Sequence, residues 1–68
     1  MNKFGQTLNE LRLEMNISRR ELARRLNVSE RLIAYWESGQ RECNFDTLIA
    51  IADIFSTSVD YLLGRTDY

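Results

Sequence analysis

The sequence predicts an all-α domain of five short helices, and three observations carry that expectation. Apolar residues recur at helical spacing along most of the chain. Ser18, Ser29, Asn44 and Ser58 each stand just before an apolar run, where a helix N-terminus needs a side-chain oxygen. Proline is absent and the hydrophobic fraction is 44%, which suits packed helices rather than a disordered chain. The 68 residues leave room for one domain, residues 1–68, with no linker, internal repeat or low-complexity stretch. A chain this short buries only about 60% of its unfolded surface, so its margin of stability is thin. One cysteine and no histidine exclude an internal disulfide and make a zinc site implausible.

Each element has its own signal. Phe4, Leu8, Leu11 and Met15 form one apolar stripe on a helix of roughly residues 3–15, which Asn16 stops. Ser18-Arg19-Arg20-Glu21 reads as a capping box, opening a helix of about two turns that faces Leu22, Ala23 and Leu26 inward. Asn27 tolerates a left-handed backbone and Val28 is expected as a buried plug. Ser29 caps a third helix running to about Glu37, and Ser38-Gly39 ends it. Asn44 caps a fourth, with Phe45, Leu48, Ala52 and Phe55 at helical spacing. Ser58 opens a short fifth carrying Val59, Leu62 and Leu63, with Asp60 favourably placed against the helix dipole. The second and third helices, joined by a short turn over about residues 18–37, make a helix-turn-helix.

The net charge is −1, yet it is unevenly spread. Between Ser18 and Arg41 six arginines face three glutamates, a balance of +3, while the remainder holds three bases against seven acids, a balance of −4. A phosphate-binding footprint is local, so the segment counts for more than the sum.

The run Ile17-Ser18-x-x-Glu21-Leu22-Ala23-x-x-Leu26-x-Val28-Ser29, followed by Ile33-x-x-Trp36-Glu37-x-Gly39-x-Arg41, resembles the XRE-like (lambda repressor/Cro-like) helix-turn-helix transcriptional regulators. Leu48-x-x-Ile51-Ala52-Asp53-x-Phe55 and Ser58-Val59-Asp60-Tyr61-Leu62-Leu63-Gly64 continue the match, which covers roughly residues 8–65. The resemblance implies a compact lambda-repressor-like domain that binds double-stranded operator DNA through the major groove. Arg19 stands where most members of that family carry glutamine, and Asn27 and Cys43 stand where glycine and proline are common. The first substitution bears on a DNA contact and the other two on local rigidity.

On the third helix, stepping 100° per residue from Ile33 puts Trp36 on the core side and Arg31 and Tyr35 on the opposite face. Glu30 sits at the end that enters the groove first. Arg31 suits guanine O6 and N7, and Glu30 suits cytosine N4. Tyr35 suits a thymine methyl or a phosphate. These three match the base-reading positions of the family; by themselves they also fit a solvated helix face. Arg19, Arg20, Arg24, Ser29, Gln40 and Arg41 are the candidate backbone contacts. Arg20 and Arg24 are like charges at i, i+4 that an anion would relieve, whereas Glu21 and Arg25 form a favourable pair. The resemblance further implies a structural ion pair between Arg12 and Glu37.

Without histidine, with Lys3 as its single lysine and with no glycine-rich loop, the chain is not expected to be an enzyme. No cofactor or metal is expected. The absence of a secretory signal and of a long apolar run leads us to expect a cytoplasmic protein with no membrane partner, the resemblance implies a bacterial or phage-encoded one, and the lone thiol of Cys43 suits a reducing compartment. A homodimer is expected, with the fourth and fifth helices, about residues 44–63, as its candidate interface. The rival class is a protein-interaction module or antitoxin-type protein that retains the fold and engages a partner through its acidic C-terminal half. Ile49, Ile54, Tyr61 and Tyr68 suit either surface, while Ile51 and Ile54 also fit a plain core. If the Arg12–Glu37 pair is structural, Arg12→Met lowers the melting temperature more than it lowers a salt-corrected DNA affinity, which thermal denaturation and binding titrations compare directly.

Overall fold

The computed structural model describes residues 3–66, so Tyr68 lies outside the described residues. It contains α1 (Phe4–Glu14), α2 (Arg19–Leu26), α3 (Glu30–Ser38), α4 (Phe45–Ile54) and α5 (Val59–Leu62), with no strand among the described residues. The all-α, five-helix architecture expected from the sequence is what the chain adopts. The first helix packs on α3 and α5, α2 on α3 and α4, and α4 on α5. All five surround one core in which Leu8, Leu22, Ile33, Ile51 and Leu62 are fully buried.

The helix boundaries follow from local hydrogen bonding. Ser18, Ser29, Asn44 and Ser58 each accept a bond from the backbone N–H three residues on, at 3.0, 3.1, 2.8 and 2.9 Å. Each such cap contributes about 1 kcal/mol. Only half of the capping box on α2 forms, because the Glu21 carboxylate turns to Arg24 and Arg25 instead.

The C-termini repeat one motif. Asn16, Asn27, Gly39, Ser56 and Gly64 all have positive φ. After each of them a backbone N–H reaches five residues back: Ile17 to Arg12, Val28 to Ala23, Gln40 to Tyr35, Thr57 to Ala52 and Arg65 to Asp60. These are Schellman closures, which satisfy otherwise orphaned carbonyls and reverse the chain within two residues. Ile17 and Val28, the residues that follow two of the left-handed positions, pack onto the core. Val28 is therefore a partly buried plug.

Two expected core residues lie elsewhere. Phe45 is 83% exposed, because it is the first residue of α4 and its side chain tilts toward the helix N-terminus, beyond the edge of the core. Met15 is exposed because α1 ends at Glu14, before the apolar stripe does. The alternatives left open for α4 are resolved by burial: Ile51 is wholly inside, Ile54 packs partly on the core, and Ile49 is 52% exposed.

Gly5 explains how closely α1 approaches α3. A Cβ at this position would collide with the carbonyl oxygen of Trp36 and lie 2.9 Å from that of Glu37. Trp36 is itself buried, with no acceptor for its indole N–H among the described residues. Helix propensity alone makes Gly5→Ala stabilising by about 1 kcal/mol. The contact with rigid backbone reverses that sign, and the variant should lose about 1–3 kcal/mol in chemical denaturation as α1 is pushed off α3.

Candidate nucleic-acid interface

The interface begins with how α3 is oriented. Ile33 and Trp36 anchor its inner face, which leaves Glu30 and Arg31 exposed on the outside. Tyr35, one turn beyond Arg31, is partly buried, and the Arg41 guanidinium lies over its ring, 5.1 Å from the centroid. The loop after α3 makes that stacking possible. Gly39 takes φ +82°, and the N–H groups of Gln40 and Arg41 both donate to the Tyr35 carbonyl, at 2.9 and 3.3 Å. Ser29, Arg31, Leu32, Tyr35 and Arg41 thereby line an open groove of about 360 Å3. Ser29 contributes its hydroxyl to the cap of α3.

The arginines of the basic segment divide by their partners. Arg24 forms a bidentate pair with Glu21, at 3.1 and 2.6 Å, and Arg25 reaches the same carboxylate at 2.8 Å. Arg24 is thus not the unrelieved partner of Arg20 that the i, i+4 spacing suggests, because Glu21 lies one turn behind it and is nearer. Those two arginines hold the Glu21 carboxyl down at about 2. Arg20 and Arg31 are exposed and form no ion pair among the described residues.

At the junction of α1, α2 and α3 lies Glu37, whose side chain is 3% exposed. Its Oε2 accepts from Arg12 Nε at 2.7 Å, and its Oε1 accepts from Arg19 Nε at 2.9 Å, Asn9 Nδ2 at 3.1 Å and Arg12 Nη2 at 3.4 Å. The other terminal nitrogen of Arg12, Nη1, donates to the Ile17 carbonyl at 2.9 Å and so braces the turn into α2. Sequence reasoning pairs Arg12 with Glu37 but misses Asn9 and Arg19. Their side chains meet Glu37 only because α1 and α2 converge on the end of α3, and no short-range spacing signals that. Gly5 carries a signal, since a glycine inside a helix costs about 1 kcal/mol unless close packing requires it, but sequence reasoning does not use it.

Among the described residues no group of three or more potential metal-ligating side chains comes together, and no helix is long and apolar enough to cross a membrane. Cys43 is half-buried beside Phe4, Phe45, Leu48 and Leu63 at a shallow cavity of about 160 Å3, and burial pushes its thiol pKa up.

Burial acts to raise the Glu37 pKa, but the bonds from Arg12, Asn9 and Arg19 outweigh it and the net shift is downward. A carboxylate lowered by folding adds stability above its unfolded value, 4.5 here, and that contribution disappears as pH falls through the lower folded value. The melting temperature should therefore hold steady from neutral pH to about 5 and fall below about 4.5. Glu37→Gln should flatten that acid limb more than Glu21→Gln, whose carboxylate pairs on the surface, as thermal melts across a pH series would show.

Comparison with known proteins bears on the family and the fold. A family model described as helix-turn-helix, HTH_3, matches residues 8–62. The HTH-type transcriptional activator BcrR of Enterococcus faecalis is 38% identical over 62 residues, covering 91% of this chain and 30% of that protein. Two relatives from Bacillus subtilis (strain 168) are the HTH-type transcriptional regulators AnsR and ImmR. AnsR is 40% identical over 58 residues, covering 85% of this chain and 50% of its own length. ImmR is 30% identical over 64 residues, covering 94% and 50%. This chain therefore spans half or less of the length of these relatives. Among solved structures, the P22 c2 repressor protein in complex with synthetic operator 9T superposes with a TM-score of 0.86 at 28% identity, over 93% of this chain and 96% of that one. A transcriptional regulator from Listeria innocua gives a TM-score of 0.91 at 32% identity, over 97% and 62%. With its five helices, its helix-turn-helix and a family match across most of its length, the chain belongs to the XRE-like helix-turn-helix family.

Proposed function

We propose that this chain is the DNA-binding domain of a transcriptional regulator, most simply a repressor, that recognises a palindromic operator as a homodimer. The observation that carries this reading is the outer face of α3. It presents Glu30 and Arg31 free of ion pairs among the described residues, beside a groove walled by Tyr35 and Arg41, while Ile33 and Trp36 lock the opposite face into the core. Its likeness to the P22 c2 repressor, solved on a synthetic operator, supports the same role.

In this reading α3 enters the major groove from its N-terminal end. Arg31 addresses guanine through its bidentate fork, and Glu30 accepts from cytosine N4 and repels misplaced phosphates. Tyr35 has one ring face covered by Arg41, so it reads with its remaining edge and hydroxyl and supports the arginine above it. Arg19, Arg20, Ser29, Gln40 and Arg41 hold the DNA backbone. Arg24 contributes less, because Glu21 already neutralises much of its charge. The dimer uses α4 and α5, where Phe45 and Ile49 stand exposed at i, i+4 and leave the α3 face clear. Two copies present their α3 helices to half-sites about 34 Å apart, which gives the site length that one helix-turn-helix lacks. The same apolar pair is the specific feature favouring the rival reading, in which it docks a partner protein.

Selection from a random duplex pool followed by a salt titration separates the two. Operator binding requires an enriched palindrome and a steep log–log salt slope. Absence of binding at low salt would leave the interaction module standing. Within the DNA-binding reading, Arg31→Ala should relax one base position at a cost of about 1–3 kcal/mol, whereas Arg20→Ala should weaken all sequences about equally and reduce the salt slope by about one.

A further inference from the structure

We propose that the buried carboxylate of Glu37 is a positioning residue for DNA binding: it grips Arg19 by its Nε, so that the terminal nitrogens of that guanidinium form a preset fork for one backbone phosphate. This inference rests on the DNA-binding reading above and adds a role for a residue otherwise structural.

The bonding around Glu37 leaves one charge over. Two guanidinium groups, Arg12 and Arg19, share a single carboxylate. Arg12 is buried, and its remaining nitrogen, Nη1, donates to the Ile17 carbonyl. The surplus positive charge therefore emerges at Arg19, whose side chain is 48% exposed. The Nε of Arg19 is committed at 2.9 Å, and its terminal nitrogens have no partner among the described residues. The nearby Glu21 does not neutralise it, being occupied by Arg24 and Arg25.

A free surface arginine must surrender its rotamer freedom when it binds a phosphate. Arg19 has surrendered much of it already, to a carboxylate that Asn9 and Arg12 hold in place. Only arginine can do both tasks at once. Its rigid plane carries an inward Nε–H beside separate terminal N–H donors, whereas lysine offers a single ammonium that Glu37 would draw inward.

The test compares the full 68-residue chain with R19A and R19K, on the duplex enriched from the random pool and on a random-sequence duplex, across a salt series. R19A should lower affinity about ten-fold on both duplexes and reduce the log–log salt slope by about one, the signature of one lost phosphate contact. R19K should behave like R19A. Retention of wild-type affinity and slope by R19K would overturn the proposal, since Arg19 would then act as a free point charge. An R19A variant that binds like wild type would overturn it as well. A second arm repeats R19A in the Glu37→Gln background, where the cost of losing Arg19 should shrink by several-fold; an equal cost in both backgrounds would overturn the positioning role. Should Glu37→Gln unfold the chain, the R19K comparison decides alone. Failure of the wild-type chain to bind any duplex is a separate result and rejects the DNA-binding reading itself.

Discussion

The carboxylate of Glu37 sits where α1, α2 and α3 converge, almost completely shielded from water, and the relative placement of those helices depends on how it is satisfied. A buried charge without partners is untenable, and removing one partner from a buried pair typically costs about 3–5 kcal/mol. Here Asn9 and Arg12 come from α1 and Arg19 from α2. The carboxylate is fully served only when both helices dock at the correct height on the end of α3. The net gain over a well-packed apolar alternative is small by general experience. The strong constraint is geometric: few arrangements of three helices deliver four donors to two oxygens.

The close docking of α1 serves the same point. Gly5 brings that helix directly against the Trp36 and Glu37 carbonyls, and this proximity keeps Asn9 and Arg12 within reach of Glu37. The helix ends do the complementary work. Side-chain oxygens fix where α2 to α5 begin, and left-handed residues fix where all five helices turn. In a chain this short, with no disulfide, such terminal bonding carries a large share of the specification. Helices of 4 to 11 residues have little intrinsic stability to contribute.

The electrostatics follow from where the acids are used. A chain of net charge −1 can still present a basic surface, because Glu21 and Glu37 in the basic segment are both consumed by internal pairing. Glu21 is the more costly of the two to the surface, since it occupies Arg24 and Arg25 together. Glu37 is satisfied mainly from within, by Arg12, and leaves most of the Arg19 charge available. Arg20, Arg31 and Arg41 are not drawn into ion pairs among the described residues, and Arg31 and Arg41 line one groove beside Tyr35.

By itself the sequence determined the fold class, the four capped helix starts and the inward direction of α3, because each depends on residues within a turn or two of one another. Ser18 and Glu21, Ser29 and Leu32, and Ile33 and Trp36 are local pairs whose geometry the helix dictates. The tertiary structure decided what distance along the chain conceals. It brought Arg19 and Glu37, 18 residues apart, into contact, and Asn9 and Glu37 across 28. It also stacked Arg41 on Tyr35, divided Glu21 between two arginines that spacing had assigned to different tasks, and left Phe45 outside a core that its periodicity had suggested. Periodicity specifies a direction around a helix axis. What occupies the space in that direction depends on how far the neighbouring helices extend and how closely they approach.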